Sequence, residues 1–103
     1  MNSKLYETQE LFKVLSNEVR LCILINLCKC GELKVSDLQN CASSSQSFVS
    51  QQLSSLKKQR IISSRKIGLE VYYKVIDARV CEIVNKLDLV SVCNVLEGSN
   101  ERN

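Results

Sequence analysis

Apolar residues in the first part of the chain recur with the period of an α-helix. They predict an amphipathic helix over residues 4–15 and a second helix that is apolar almost all round and therefore buried. Ser16-Asn17 supplies the N-cap of the second helix, and Gly31 ends it. Residues 33–41 fit a short third helix that starts near Ser36.

A fourth helix and a hairpin follow. The helix begins after a cap at Ser44 or Ser45 and extends to about Gln59, with one apolar stripe facing inward. The period then changes, because β-branched and aromatic residues dominate residues 61–75. This change predicts a β-hairpin with Gly68 at its tip.

The last pattern is a fifth helix, for which Asp77 is the N-cap and Gly98 the end. Residues 99–103 form a polar tail. A tight pair of helices followed by a hairpin is the order of a winged helix-turn-helix. We therefore predict five helices in a mostly α fold with a β-hairpin wing (α+β), arranged as a single DNA-binding and dimerisation domain over residues 1–98.

The first and fifth helices carry more apolar surface than a domain of this size buries internally. A symmetric homodimer through these two helices is expected, and it would place two recognition helices in successive major grooves. A monomer that covers these stripes itself is the alternative.

Charge is unevenly distributed along the chain, whose net charge is only +3. Residues 38–69 contain no Asp or Glu, and five cations lie there: Lys57, Lys58, Arg60, Arg65 and Lys66. A basic segment with acidic flanks is typical of a surface that faces a polyanion such as double-stranded DNA. A solvated surface without a partner is the plainer interpretation.

On DNA, the amides and hydroxyls of the fourth helix would contact base edges, since Gln pairs with adenine and Ser with several bases. Lysines at the end of that helix would hold phosphates, and the wing cations would lie over the backbone or minor groove. The predicted DNA-binding residues are Ser45, Gln46, Ser47, Ser50, Gln51, Gln52, Lys57, Lys58, Arg65 and Lys66. A winged-helix module that binds another protein remains an alternative.

Composition excludes several other classes. The chain has no His, so no nucleophile–base pair of the usual kind can be assembled, and we expect neither an enzyme nor a cofactor. The first ten residues lack an apolar core, so no signal peptide is expected. The apolar run 21–28 is far shorter than the roughly 20 residues that span a bilayer. We expect a cytoplasmic protein with no membrane partner, whose six cysteines are reduced.

Four blocks of sequence resemble the ArsR/SmtB family of small dimeric winged-helix repressors, over about residues 11–87. They are FKVLSNEVRL (12–21), GELKVSDL (31–38), SQSFVSQQL (45–53) and RKIGLEVYY (65–73). The resemblance implies a repressor that leaves its operator, an inverted repeat, when a ligand or oxidant acts on the dimer.

The metal sites of that family are not reproduced in this sequence. Its metalloid sensors carry Cys-Val-Cys before the recognition helix, where this chain has Lys34 and Ser36 around Val35. An ammonium and a hydroxyl do not replace two soft thiolates. The family's zinc site begins with an Asp, matched by Asp77, but then requires His. Whether any metal binds is therefore unknown.

Cysteine sensing is the remaining route to an inducer. Cys28 and Cys30 cannot bridge within one helix, because residues two apart point about 200° from each other. Some family members sense oxidants or persulfides through one Cys on the second helix and one near the end of the last, which implies Cys93 with Cys28 or Cys22. A metal or metalloid site at Cys28 and Cys30, or purely structural thiols, are the alternatives.

Overall fold

The structure is a computed structural model of the chain and describes residues 2–42 and 45–89. The elements in chain order are α1 (Ser3–Leu15), α2 (Glu18–Cys30), β1 (Leu33–Lys34), α3 (Val35–Ala42), α4 (Gln46–Lys58), β2 (Ile62–Ile67), β3 (Glu70–Val75) and α5 (Ala78–Lys86). The prediction of five helices with a hairpin wing is confirmed, and the fold is a winged helix-turn-helix.

Side-chain caps explain where the helices begin. The Asn17 side chain accepts a hydrogen bond from Arg20 N–H, and Asp77 accepts one from Arg79 N–H, both as the sequence predicts. Of the two serines proposed for α4, Ser45 is the cap. Gly31 ends α2 with φ 91°, a conformation that favours glycine.

The wing belongs to a three-stranded antiparallel sheet of order β1-β3-β2. Its hairpin pairs Ile67 with Glu70, and Gly68 at the tip has φ 63°. The third strand differs from the sequence prediction of a helix over residues 33–41, because Leu33 pairs with Tyr73 in the sheet. The Leu33 side chain is buried in the core, and a single buried apolar residue is compatible with a strand as well as with a helix. Consequently α3 begins at Val35, directly after the strand.

A single hydrophobic core joins all the helices to the sheet. Helix α2 lies at its centre with five consecutive buried residues, in agreement with its apolar sequence. The residues of α3, α4, β2 and α5 that are almost completely buried against it are Leu38, Val49, Leu53, Leu56, Ile62, Val80 and Val84. Truncation of a buried leucine here to alanine is expected to cost about 2–5 kcal/mol.

The fifth helix is shorter than predicted. It ends at Lys86 with Leu87 as the C-cap, and Asp88 has φ 57°. Aspartate tolerates this left-handed conformation, which stops the helical hydrogen-bond ladder before the next apolar residues are reached. The continuation to Gly98 expected from the apolar pattern lies outside the described residues beyond Leu89. None of the helices in the described part has the length and apolarity needed to cross a membrane.

Candidate nucleic-acid interface

Helix α4 has one buried side and one exposed polar side. Val49, Leu53 and Leu56 are fully buried. On the opposite side, four exposed residues follow one another at helical spacing: Ser47, Gln51, Ser54 and Lys58. This stripe carries hydroxyl, amide and ammonium groups and no carboxylate, so it can offer hydrogen bonds to an anionic surface without repelling it.

A shallow groove runs along the second half of this polar side. It is lined by Ser50, Gln51, Ser54, Ser55, Lys58 and Gln59. Three of these residues, Ser54, Ser55 and Gln59, are absent from the predicted DNA-binding set. The helical spacing from Gln51 would have identified Ser54, because i and i+3 share a face. Within the groove Gln59 donates to the Ser55 hydroxyl at 3.1 Å, which orders both side chains.

Ser45 has a structural task at the start of α4. Its hydroxyl oxygen accepts a hydrogen bond from the Phe48 N–H at 3.2 Å. The hydroxyl proton is not used in that bond, so it can still be donated to a phosphate oxygen at the helix N-terminus. The predicted DNA contact of Ser45 is thus compatible with its role as a cap. Gln46 and Ser47, which follow it, are exposed.

Arg20 on α2 holds the side chain of Gln52 on α4. Its Nη1 donates to Gln52 Oε1 at 3.2 Å, while Nε and Nη2 donate to the carbonyl oxygens of Val14 and Lys13 at 3.1 and 3.3 Å. The guanidinium therefore ties the end of α1 and the start of α2 to the recognition helix. Gln52 keeps its NH₂ group for donation. Arg20 is not among the functional residues predicted from the sequence.

The cations of the fourth helix are placed as the sequence suggests. Lys57 and Lys58 lie in the last turn of α4 and are exposed. Arg60, also exposed, has φ 63°, and the N–H of Ile61 donates to Leu56 O at 3.0 Å to close the helix. Lysines in the last turn are favourable for the helix dipole even without DNA.

The two wing cations differ in their availability. Lys66 is exposed on β2. Arg65 donates from Nε and Nη2 to the two carboxylate oxygens of Glu32, each at 2.8 Å. These hydrogen bonds lower the pKa of Glu32 below its usual range. Residues 38–69 contain no Asp or Glu, but the fold places the carboxylate of Glu32 against Arg65 of this segment. Arg65 must therefore leave Glu32, or share it, to contact a phosphate.

A disulfide joins α2 to α5. Its two sulfurs, from Cys28 and Cys81, are 2.08 Å apart, and the Cα atoms are 5.5 Å apart. The family resemblance implies Cys93 as the partner of Cys28 or Cys22, and Cys81 is not among the candidate sensor cysteines predicted from the sequence. Cys93 lies outside the described residues, and Cys30 is an exposed free thiol. Cys28 and Cys81 meet because the last turn of α2 packs against α5, a contact that sequence spacing alone does not reveal.

An apolar groove lies between α1, α2 and α5. It is lined chiefly by Phe12, Leu15, Leu21, Ile83, Leu87 and Leu89. Phe12 is 58% exposed and Leu87 is 63% exposed, values that are large for such side chains in a folded domain. Within residues 2–42 and 45–89, no three or more Cys, Asp or Glu residues are grouped in a way that could hold a metal ion.

The sequence and fold match known regulators. Residues 17–64 match the model of the family described as bacterial regulatory protein, arsR family. The chain is 31% identical over 87 residues to the biofilm growth-associated repressor of Xylella fastidiosa, which covers 84% of this chain and 75% of that protein. It is 32% identical over 88 residues to the arsenical resistance operon repressor of Staphylococcus aureus, covering 85% and 84% of the two chains.

The structural comparison agrees with the sequence matches. The crystal structure of the AntR antimony-specific transcriptional repressor superimposes with a TM-score of 0.76 and 29% identity. The superposition covers 100% of this chain and 87% of that one. The similarity therefore includes the wing and the recognition helix together, and it extends over the whole length of the domain.

Proposed function

Since this chain belongs to the arsR family of bacterial regulatory proteins and is a transcriptional repressor of that family, we propose that it binds an inverted-repeat operator as a homodimer. The repressor releases this operator when an oxidant or a reactive sulfur species acts on its cysteines. The observation that carries the release step is the Cys28–Cys81 disulfide between α2 and α5. The family consists of DNA-binding regulators rather than enzymes. We assign both DNA binding and dimerisation to one domain, residues 1–98.

Base reading is assigned to the polar side of α4. Ser47, Ser50 and Gln51 supply neutral donors and acceptors, and the adjacent Gln46 and Gln52 extend the same set. The lysines Lys57, Lys58 and Lys66, together with Arg65 once released from Glu32, would contact phosphates. This division predicts that helix substitutions change sequence preference and that lysine substitutions weaken binding to all DNA.

The occupant proposed for the apolar groove is a second copy of the chain. The groove is almost entirely apolar, and the exposed Leu5 lies seven residues before Phe12, on the same face of α1. A two-fold dimer would pair each α1 and α5 with the same helices of the partner and would cover this surface. A Phe12→Glu substitution should therefore give a monomer in analytical ultracentrifugation.

Oxidation would act on the dimer through α5. Helix α5 contributes Ile83 to the proposed dimer surface and Cys81 to the disulfide, so both depend on the position of one short helix. Formation of the cross-link fixes α5 against the last turn of α2. We propose that this fixed arrangement sets a spacing of the two recognition helices that does not fit two successive major grooves.

The test is operator release measured by fluorescence anisotropy. The DNA is a duplex selected from a random library by the reduced protein, and the challenge is polysulfide, hydrogen peroxide or arsenite, each added separately. Reduced protein should bind tightly with a steep dependence on salt. Polysulfide or peroxide should release the wild-type protein, and neither should release Cys28→Ser or Cys81→Ser.

Matched variants separate the alternatives. Cys30→Ser should respond like the wild-type protein, since Cys30 is exposed and free in the structure. A response that is lost in Cys30→Ser but kept in Cys81→Ser would contradict the assignment to this disulfide. Release by arsenite alone would favour a metalloid site. Failure of reduced protein to select any duplex, with partner binding kept in Gln51→Ala, would favour a protein-interaction module.

A further inference from the structure

Phe48 is an exposed aromatic residue at the end of α4 that otherwise carries polar groups. Its side chain is 37% exposed, although it belongs to the first turn of the helix. Gln46 and Ser47, which are exposed in the same turn, are polar. Contact of a phenyl ring with water is unfavourable, and an apolar group that covers the ring recovers that free energy. The ring is therefore available to an apolar group of whatever binds this end of α4.

The cap of α4 fixes where the ring leaves the helix. The Phe48 N–H donates to the Ser45 hydroxyl oxygen at 3.2 Å, and the Val49 N–H donates to the Ser45 carbonyl oxygen at 3.4 Å. These hydrogen bonds hold the backbone of Phe48 in the helical conformation, which leaves an aromatic side chain few rotamers. Gln51 follows three positions later, and residues at this spacing are neighbours on a helix surface. Phe48 thus borders the stripe to which base reading is assigned.

The chemistry of the major groove limits what a phenyl ring can recognise there. In helix-turn-helix proteins the N-terminal residues of the recognition helix contact base edges, and Phe48 is one of these residues. The base edges in this groove present hydrogen-bond donors, acceptors and a single kind of apolar group, the C5-methyl of thymine. A phenyl ring has no hydrogen-bonding group of its own. The methyl group of thymine is therefore the base feature that suits it.

We propose that Phe48 is a specificity-determining residue that reads thymine, its ring covering the C5-methyl of one thymine in each half-site of the operator. The proposal rests on the proposed function in taking α4 as the helix that enters the major groove. It adds a preference that a hydrogen bond to a base edge does not supply, because cytosine carries only hydrogen at C5. Phe48 is not among the DNA-binding residues predicted from the sequence.

The methyl group alone sets the size of the expected effect. Burial of one methyl-sized apolar group changes a binding constant by about fourfold at 25 °C. A two-fold symmetric dimer makes the contact twice, so removal of both methyl groups should weaken binding by about fifteenfold. The ratio should not depend on salt, because a methyl group displaces no counterions, whereas contacts to phosphates do.

The experiment uses the full chain in its reduced form and a duplex that this protein selects from a random library. Each thymine of a half-site is replaced in turn by deoxyuridine, together with its symmetry-related copy, and the affinity is measured by fluorescence anisotropy. At one thymine position the wild-type protein should bind about fifteenfold more weakly. Phe48→Ser should bind the thymine and uracil duplexes equally at that position. The matched control is Leu69→Ala, which truncates a 95% exposed apolar residue on the wing and should keep the wild-type ratio.

A measurement on the wild-type protein covers the case in which Phe48→Ser does not fold. The thymine at the sensitive position is replaced by 5-iodouracil, whose iodine takes the place of the methyl group and whose irradiation forms a covalent bond to a nearby aromatic ring. Tryptic mapping should find this cross-link at Phe48, in the peptide 35–57.

Three results would overturn the proposal while the reduced protein still binds its selected duplex. They are the absence of any position at which uracil weakens wild-type binding, an unchanged thymine-to-uracil ratio in Phe48→Ser, and a cross-link confined to other peptides. Failure of the reduced protein to select any duplex is a different result, because it would overturn the proposed function and this proposal with it.

Discussion

Breaking the Cys28–Cys81 bond is expected to lower the free energy of unfolding by several kcal/mol. The disulfide joins residues 53 positions apart in the sequence. In the chain-entropy model, closing a loop of this length restricts the unfolded chain by about 4 kcal/mol at 25 °C. For a domain of this size, about 4–8 °C of melting temperature accompanies each kcal/mol, so reduction should lower the midpoint by about 15–30 °C.

The measurement is urea denaturation followed by far-UV circular dichroism, with each protein prepared both oxidised and reduced. The quantity compared is the oxidised-minus-reduced difference in unfolding free energy. Using this difference removes the packing change caused by replacing the half-buried Cys28 side chain, because both states of a variant share it. The difference should fall by about 4 kcal/mol in both Cys28→Ser and Cys81→Ser, and it should stay at the wild-type value in Cys30→Ser.

Unequal results for the two cysteines would refute the reasoning. A single cross-link disappears whichever of its ends is removed, so Cys28→Ser and Cys81→Ser must give the same redox dependence. A redox-dependent difference that persists in full in both variants would show that this bond does not form in solution. A loss in Cys30→Ser equal to that in Cys28→Ser would assign the cross-link to a different pair.

Three further predictions concern the DNA-binding surface and the internal thiol. Glu32→Gln should release Arg65 for contact with a phosphate and therefore tighten DNA binding. The slope of log affinity against log salt should become steeper by about 0.9. In an Arg65→Ala background the same substitution should leave this slope unchanged. Arg20→Ala and Gln52→Ala, combined in a double-mutant cycle on operator affinity, should show a coupling of about 1 kcal/mol, and additive effects would indicate that Arg20 does not position Gln52 for DNA. The alkylation rate of Cys41, followed by mass spectrometry, should still rise between pH 9.5 and 10.5, because burial raises the pKa of this thiol to about 11. The rate of an ordinary thiol with a pKa of about 8.5 has levelled off in that range. A plateau by pH 9 would contradict a pKa raised by burial.

Local patterns were sufficient for most of the fold. The caps Asn17 and Asp77, the left-handed Gly31 and the two-residue tip at Gly68 act through their own backbone or through residues up to three positions away. Such features depend on short-range geometry, so a sequence displays them directly. The polar side of α4 could be predicted for the same reason, because helical spacing assigns each residue to a face.

Two features of the fold differ from the sequence prediction, one because of a contact between distant residues and one because of the backbone conformation at Asp88. The strand at Leu33 could not be predicted, since two residues have no periodicity of their own and pair with β3 only after the chain has folded back. The end of α5 at Lys86 depends on the conformation of Asp88, whereas the apolar spacing continues beyond it. Apolar periodicity alone therefore overestimated this helix.

The sequence by itself determined the winged helix-turn-helix and the residues of its recognition helix, because hydrophobic periodicity and capping are local properties of the chain. Only the tertiary structure decided which charges and sulfurs meet. Glu32 reaches Arg65 across 33 positions, and Cys28 reaches Cys81 across 53. A carboxylate acts on whatever cation is near in space, and a thiol bonds only to a sulfur within reach, so both depend on packing rather than on spacing along the chain.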